Sequence, residues 1–236
     1  RRIAYDYLEH TYAVLAEFKR FDSGLNAPEQ GWGQPLDVAP FPVRHEGLVA
    51  EVRVEDFTRQ LPLALLDEER FPVFMESLGI DPQEASRLRD LYFDWVDEND
   101  ETRFQGAETR EYRIDRRSVL MPSQGAIRDK AEFERIMGFR DWLDPDARQY
   151  QPRRFDALLE SVTTLHRHPV NLNAAGPRIL EFFRLIGNLD PRQIQQYRAG
   201  RDRLPGTADD RVITGDRDEL PPGLASMLED AEQDLF

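Results

Sequence analysis

The sequence contains no cysteine, which excludes disulfide bonds, thiol catalysis and zinc sites built from cysteine ligands. No run of about 18 apolar residues occurs, so the sequence predicts no helix that spans a bilayer, and no segment has the pattern of a secretory signal peptide. Basic residues are outnumbered, with 31 Lys and Arg against 45 Asp and Glu and a net charge of −14. Because nucleic acids and anionic lipids are bound through basic faces, both classes of partner are disfavoured.

The composition is nevertheless that of a folded protein with an ionic surface. Hydrophobic residues make up 40% of the 236 residues and charged residues 32%, which is enough apolar material for one large domain or two small ones. An acidic protein of this kind attracts cations or a basic protein partner.

Residues 1–20 predict an amphipathic helix. Apolar residues recur at three- and four-residue steps with charges between them; they are Ala4, Leu8, Tyr12, Leu15 and Phe18. The pattern is already helical at residue 1, so we expect this helix to continue one that begins earlier in a longer chain. Proline and glycine in residues 22–44 then predict a loop-rich connection.

Residues 48–57 predict the clearest strand of the chain. Val52 and Val54 alternate with charged residues, which is typical of a strand with one buried face. Because a lone strand is unstable, its partners are expected in residues 22–46 or beyond the end of the sequence.

From Leu63 onward the apolar residues follow a helical period. Asp81 as N-cap and Pro82 in the first turn begin a helix, whose apolar stripe extends to Trp95. Further helices are predicted over residues 71–78, 129–137, 153–165, 175–186, 191–199 and 222–235. The order is one helix, one or more strands, and a long helical block.

Acidic and amide side chains crowd the loop after the helix that begins at Pro82. Carboxylates packed this closely repel one another, and their pKa values rise unless a cation neutralises them. Calcium suits oxygen ligands in a flexible loop, which makes Asp97, Asn99, Glu101 and Glu108 candidate ligands. The alternative is a helix end with solvated acids, although acids there oppose the helix dipole. Both interpretations stay open.

A second oxygen-rich segment follows residue 201. A turn at Pro205 would allow the side chains of Asp202, Thr207, Asp209 and Asp210 to converge in space. These oxygen-bearing side chains are also suited to calcium. An ordinary surface turn stabilised by its own Asp side chains is the alternative, and the spacing favours it.

Residues 168–175 lead into a helix and resemble one half of a helix-hairpin-helix motif, which binds DNA phosphates through exposed backbone amides. A helix-hairpin-helix DNA-binding module is therefore the alternative function. Asn173 is a candidate N-cap, and the favoured interpretation is a capping turn, because the chain is acidic and no lysine follows residue 130.

The sequence offers no signature of catalysis. No serine lies in a G-x-S-x-G elbow and no glycine-rich phosphate loop occurs, so we predict no catalytic residue, no cofactor-binding residue and no enzyme. An acid-rich hydrolase would need a cleft with paired, perturbed carboxylates, and a sequence does not reveal a cleft.

Several segments occur in a combination that is more specific than any of them alone. They are residues 52–57, the acidic residues 91–101 with 106–108 and Tyr112, residues 132–139, V-N-L-N-A-A at 170–175 and P-G-T-A-D-D at 205–210. In this order they resemble the K-class minor pseudopilins of type II secretion systems, also called general secretion pathway protein K. The resemblance extends over residues 48–235.

The resemblance implies an α+β fold, in which a pilin-like N-terminal helix lies on a small antiparallel sheet and a large all-helical domain is inserted. Residues 1–61 would form the pilin-like helix and strand portion, and residues 62–236 the mainly helical inserted domain. The resemblance further implies a periplasmic domain of an inner-membrane-anchored protein of a Gram-negative bacterium, with the anchor in a helix segment ahead of residue 1.

The same resemblance implies a structural role. Such a protein caps the pseudopilus tip together with I- and J-class minor pseudopilins, helps to start assembly with other pseudopilins, and contacts secreted substrate proteins. It has no nucleic-acid partner, and it meets the membrane only through its anchor. Calcium sites occur in the family, and we expect calcium at the acidic positions named above.

Overall fold

The computed structural model describes residues 2–21, 25–27, 30–38, 51–115, 121–165, 168–187, 189–204, 207, 209–213 and 220–230. Its helices are α1 (Arg2–Phe21), α2 (Pro35–Val38), α3 (Arg70–Ser77), α4 (Pro82–Val96), α5 (Thr109–Ile114), α6 (Pro152–Ser161), α7 (Pro177–Ile186), α8 (Pro191–Arg198) and α9 (Pro222–Asp230). Its strands are β1 (Leu61–Pro62) and β2 (Val162–Thr163). Within the described ranges, no helix is long and apolar enough to cross a membrane.

The chain forms two compact units. The first unit comprises Arg1–Arg59, Asn171–Ala175 and Asp190–Glu229, and the second comprises Gln60–Val170, Gly176–Leu189 and Asp230–Phe236. The predicted division into residues 1–61 and 62–236 stays a prediction.

Helix α1 confirms the helix predicted at the start of the sequence, but Ala4, Leu8 and Tyr12 of the predicted apolar stripe are exposed. Tyr7, Thr11 and Val14 are buried on one face, and α1 contacts α2 within the first unit. The buried hydroxyl of Thr11 donates a hydrogen bond to the carbonyl oxygen of Tyr7 at 2.8 Å, so this polar group is satisfied inside the helix.

The strand predicted around Val52 and Val54 is wrong over residues 51–57. Both valines are half-buried and alternate with exposed residues as predicted, but they lie outside any strand. The amide of Val54 donates to the carbonyl oxygen of Gly33 at 2.9 Å. Alternation alone does not make a strand, because a ladder also requires a neighbouring segment with matching hydrogen-bond partners. The predicted residues 48–50, and residues 39–46 of the expected partner segment, lie outside the described residues.

An aromatic core holds the second unit together. Helix α3 packs on α4 and α7. Phe71 of α3 stacks on Tyr92 of α4 with ring centroids 4.5 Å apart, and Phe74 meets Phe182 of α7 edge to face at 6.0 Å. Aromatic rings of this size supply much of the apolar area that a helical core buries.

The sheet differs from the predicted one. Strands β1 and β2 are parallel, with Leu61 opposite Val162 and Pro62 opposite Thr163, and both belong to the second unit. The described residues contain no antiparallel sheet under α1. The fold is therefore mostly helical with a small strand pair, and the pilin-like arrangement implied by the resemblance is not found in these ranges.

The predicted helices are confirmed where local signals are strong. Asp81 caps α4 by accepting from the amides of Gln83 and Glu84, as its position before Pro82 predicts. The helix predicted over residues 153–165 ends at Ser161 because the chain enters β2. The one predicted over 129–137 is a short 3₁₀ turn at Lys130–Glu134. Helices α2 and α5 are too short to produce a clear period and were not predicted.

Candidate metal centre

Helix α4 places two acids under the segment that follows it. Asp90 and Asp94 lie four residues apart, on the same side of the helix, and both are buried. The amide of Gln105 donates to Asp90 Oδ2 at 3.1 Å, and the amide of Arg103 donates to Asp94 Oδ2 at 3.1 Å. The returning segment therefore covers the acidic side of α4 while satisfying its carboxylates.

Arg103 lies among three carboxylates. Its Nη1 donates to Asp94 Oδ1 at 2.8 Å and to Asp97 Oδ2 at 2.5 Å, and its Nη2 donates to Glu68 Oε1 at 2.8 Å. The guanidinium also lies over the ring of Phe93, 5.7 Å from its centroid. A buried carboxylate such as Asp94 requires such a partner, because an unpaired buried charge is strongly destabilising.

Glu108 completes an acidic cluster, which we define as Asp94, Asp97 and Glu108. One carboxylate oxygen from each member lies within 4.8 Å of the others. Glu108 immediately precedes α5 as its N-cap residue. Its amide donates to Glu111 Oε2 at 3.0 Å, and this hydrogen bond stabilises the first turn of the helix. The residue is 1% exposed, and although its side chain faces the amide of Glu111 in a capping box, neither carboxylate oxygen makes a well-formed hydrogen bond.

The surroundings oppose ionisation of Glu108. Burial, followed by the negative charges of Asp94, Asp97 and Asp100, raises the pKa of Glu108 to about 7, although Arg103 acts in the opposite direction. Burial also raises the pKa of Asp94, and its hydrogen bonds from Arg103 oppose that rise. The acidic cluster thus holds more negative charge than Arg103 alone neutralises.

The donor set fits a hard divalent cation. When ionised, the three carboxylates carry a charge of −3 against +1 on Arg103. Asp97 Oδ1 is buried without a partner, and the oxygens of Glu108 make no well-formed hydrogen bond. Calcium takes oxygen ligands and tolerates irregular geometry. Buried acceptors without well-formed hydrogen bonds are the groups that such an ion would satisfy.

Gly106 allows the close approach that builds this centre. A Cβ atom at this position would lie 1.8 Å from Asp94 Oδ2, so any side chain here would push the covering segment away from α4. The glycine is therefore required by space rather than by backbone conformation.

The predicted ligands of the first loop divide into two groups. Asp97 and Glu108 are brought together in the acidic cluster, whereas Asn99 and Glu101 are exposed. Asn99 Oδ1 accepts from the amide of Glu101 at 2.8 Å, so it stabilises its own loop. Asp94 was not predicted as a ligand. The signal that points to it is a second acid four residues after Asp90 on a helix that is otherwise largely apolar on its buried side.

The second predicted set forms a hydrogen-bonded turn. Asp209 Oδ2 accepts from the amides of Arg201 at 2.6 Å and Asp202 at 3.2 Å. The hydroxyl of Thr207 donates to Asp209 Oδ1 at 2.9 Å and lies 3.5 Å from Asp210 Oδ1. These hydrogen bonds lower the pKa of Asp209. Protein donors thus already satisfy much of this set, and calcium binding here stays a prediction.

The turn at residues 171–175 uses its own amides. The amides of Ala174 and Ala175 both donate to the carbonyl oxygen of Asn171, at 3.0 and 2.9 Å, and the amide of Asn173 donates to Asn171 Oδ1 at 3.0 Å. A helix-hairpin-helix motif requires free amides for phosphate, and these are occupied.

Asn173 is not an N-cap, contrary to the prediction. Helix α7 begins at Pro177 after Gly176. Asn173 Oδ1 instead accepts from the amide of Ile213 at 2.6 Å, and its Nδ2 donates to the carbonyl oxygen of Ile213 at 3.0 Å. A buried amide side chain thus holds two distant backbone segments of the first unit together.

A comparison with protein families finds a match in the second unit. The family model described as type II secretion system, protein K matches residues 62–143. The matched range contains α3, α4 and α5 together with the whole acidic cluster. A search of curated proteins found no match.

Proposed function

Because residues 62–143 belong to the protein K family of type II secretion systems, we propose that this secretion-system component caps the pseudopilus tip and aids pseudopilus assembly and protein export. The family match is the observation that carries the proposal. The family is a structural component of the secretion system rather than a known class of enzyme. The other pseudopilins of the same secretion system are the expected partners, and the I- and J-class minor pseudopilins are the expected direct neighbours. The proposed location is the periplasm.

Helix α1 offers a surface for such neighbours. Tyr5, Leu8 and Tyr12 are exposed, Tyr12 by 67%, and their three- and four-residue spacing forms one stripe. This is the spacing by which helices pack side by side in a bundle. The buried face of α1 is separate from it, so the stripe is free to receive a second helix while α1 keeps its place in the first unit.

Reconstitution tests the capping role. The chain is mixed with the soluble domains of the I- and J-class pseudopilins of the same system, and the assembly is measured by size-exclusion chromatography with light scattering. We expect a one-to-one-to-one complex. Absence of any complex with the wild-type chain would refute the capping role.

A variant set tests the helix surface separately. The combined change Tyr5→Ser, Leu8→Ser and Tyr12→Ser should abolish the complex while leaving the unfolding of the free chain nearly unchanged. Tyr150→Ser removes an exposed tyrosine of the second unit and should leave assembly intact. If both variants assemble like wild type, the stripe on α1 is not the contact.

We further propose that calcium binds the acidic cluster. The support comes from the buried oxygens of Asp97 and Glu108 that lack well-formed hydrogen bonds and from the excess negative charge around Arg103. When bound, calcium would neutralise the repulsion that opposes closing of residues 103–108 over α4. Its role is therefore to hold the covering segment in place.

Calorimetric titration at pH 8 measures this binding. Glu108→Gln should abolish calcium binding at the cluster, whereas Glu101→Gln, which removes an exposed acid of the same loop, should retain it. Asp209→Asn reports on the second turn. Loss of binding in Asp209→Asn, with retention in Glu108→Gln, would move the site to that turn.

The DNA-binding alternative receives less support. The amides of residues 173–175 are occupied by intrachain acceptors, and the net charge is −14. A titration with duplex DNA at low salt decides between the two functions, since salt-sensitive micromolar binding would favour the DNA-binding module.

A further inference from the structure

Phe104 is the most exposed large hydrophobic side chain in the described part of the chain, at 97%. It lies in the segment that covers the acidic side of α4, between Arg103 and Gln105, which are both partly buried. Scattered exposed apolar residues are common on protein surfaces. The features that distinguish this one are the rigidity of its backbone and the charge around it.

The backbone is fixed on both sides of Phe104. Arg103 is tied to α4 through its amide and its guanidinium, and the amide of Gln105 is tied to Asp90. The amide of Gly106 donates to the carbonyl oxygen of Arg103 at 3.1 Å and closes a tight turn. The phenyl ring therefore projects from a turn that is anchored at three successive points.

A ring presented in this way is prepared for binding. Aromatic side chains provide a large contact area with few rotatable bonds, and they dominate the residues that carry binding energy at protein interfaces. Fixing the turn before binding removes most of the ordering cost that a flexible loop would incur. Ordinary surface turns instead place polar residues at the tip.

The exposed charges of the loop that precedes the turn are acidic, and the nearby Arg89 is paired with Asp90. Glu98, Asp100 and Glu101 are exposed in the same loop, and Glu68 reaches Arg103 from the other side with its side chain 56% exposed. The positive charge of Arg103 is neutralised by its carboxylate partners. An apolar tip with an acidic rim is complementary to an apolar pocket with a basic rim.

We propose that Phe104 is an anchor through which the second unit binds a folded protein whose apolar pocket is flanked by Lys and Arg residues. The acidic rim is repelled by anionic lipid and by a second copy of this chain, whose net charge is also −14. The inference rests on the proposed secretion function in two respects: the partner is sought in secreting cells, and loss of the anchor is expected to lower export.

Site-specific crosslinking identifies the partner. The photoreactive analogue p-benzoylphenylalanine replaces Phe104 in the full chain within secreting cells, and it replaces Tyr150 in a matched control. We expect a protein crosslink at position 104 that is absent at 150, and its mapped peptide should line an apolar pocket with Lys and Arg neighbours. A crosslink to lipid, to a second copy, or to an acidic surface would overturn the proposal, as would equal crosslinking at both positions.

Affinity measurements with the purified partner then test the anchor. Phe104→Ala should weaken binding about 30-fold, mainly through faster dissociation, while Phe104→Leu should lose less and Tyr150→Ala nothing. The combined change Glu98→Gln, Asp100→Asn and Glu101→Gln should slow association and reduce its salt dependence. Equal affinity of Phe104→Ala and wild type would refute the anchor. Phe104→Ala, Phe104→Leu and Tyr150→Ala should unfold like wild type, because the replaced side chains are exposed.

The outcome is separable from that of the capping proposal. Phe104→Ala should lower export in cells while still forming the complex with I- and J-class domains. If wild type forms no such complex, the capping role fails and the crosslinking result stands by itself. If the complex forms and Phe104→Ala exports at the wild-type rate, the anchor fails and the capping role stands.

Discussion

The calcium-free protein should lose stability towards unfolding as the pH rises, and replacing Glu108 by glutamine should remove this loss. Burial, with the neighbouring charges of Asp94 and Asp97, raises the pKa of Glu108 from 4.5 to about 7 in the folded chain. The folded state therefore holds a proton on this group that the unfolded state releases. The contribution of Glu108 to stability is fully present below pH 4.5 and is lost as the pH rises through about 7.

The magnitude follows from the two pKa values. The difference between 4.5 and about 7 corresponds to about 3 kcal/mol of unfolding free energy at 1.36 kcal/mol per pH unit. Glutamine resembles the protonated acid in shape and stays neutral, so Glu108→Gln should lack this loss. At pH 8 in the presence of a chelator, the variant should be more stable than wild type by an amount approaching this value.

Urea unfolding between pH 4.5 and pH 8, followed by tryptophan fluorescence with a chelator present, measures the effect. Trp95 and Trp142 are buried in the second unit and report on its unfolding. Glu101→Gln, which changes an exposed acid of the same loop, should keep the wild-type dependence on pH. If Glu108→Gln and wild type lose stability in parallel as the pH rises, Glu108 is not held in an environment that opposes its charge.

Further changes probe the same segment and the first unit by urea unfolding. Gly106→Ala should lower the free energy of unfolding by about 1–3 kcal/mol, because its Cβ would collide with a carboxylate of α4. Gly125→Ala is the control and should be near neutral, because the nearest atom is 3.9 Å from the added Cβ. Equal effects of the two changes would contradict the packing argument. Arg103→Met should cost about 3–5 kcal/mol without calcium, since it leaves Asp94 buried and unpaired, and calcium should restore part of this loss. Asn173→Ala should cost about 1–3 kcal/mol because buried backbone groups lose their partners, and faster amide exchange should appear at the segment it holds. Unchanged exchange would argue against that role.

Local signals made α4 and its loop predictable. Asp81 followed by Pro82 marks the start of the helix, and the structure has both the cap and the helix there. The run of acids after Val96 indicated a cation site, and Asp97 and Glu108 do come together. The helix start was confirmed because capping acts between residues that are close in sequence, whereas the cation site stays a prediction.

Long-range features were predicted poorly. The alternation at Val52 and Val54 is real, but no neighbouring segment completes a ladder there, so the strand was wrong. Strands β1 and β2 are two residues each and pair across about a hundred positions, which leaves no periodic signal to detect. Asn173 was assigned to a nearby helix end, although its partner is forty residues away.

The sequence by itself determined the acidic character, the helical period of most of the chain and the match of residues 62–143 to the family model of type II secretion system protein K. Only the tertiary structure decided which acids are buried together. Asp94 enters the cluster because the segment around Gly106 folds back over α4, while Asn99 and Glu101 are left in solvent. Burial is a property of what covers a residue, and the covering segment is chosen by the packing of the whole unit rather than by the residue's neighbours in sequence.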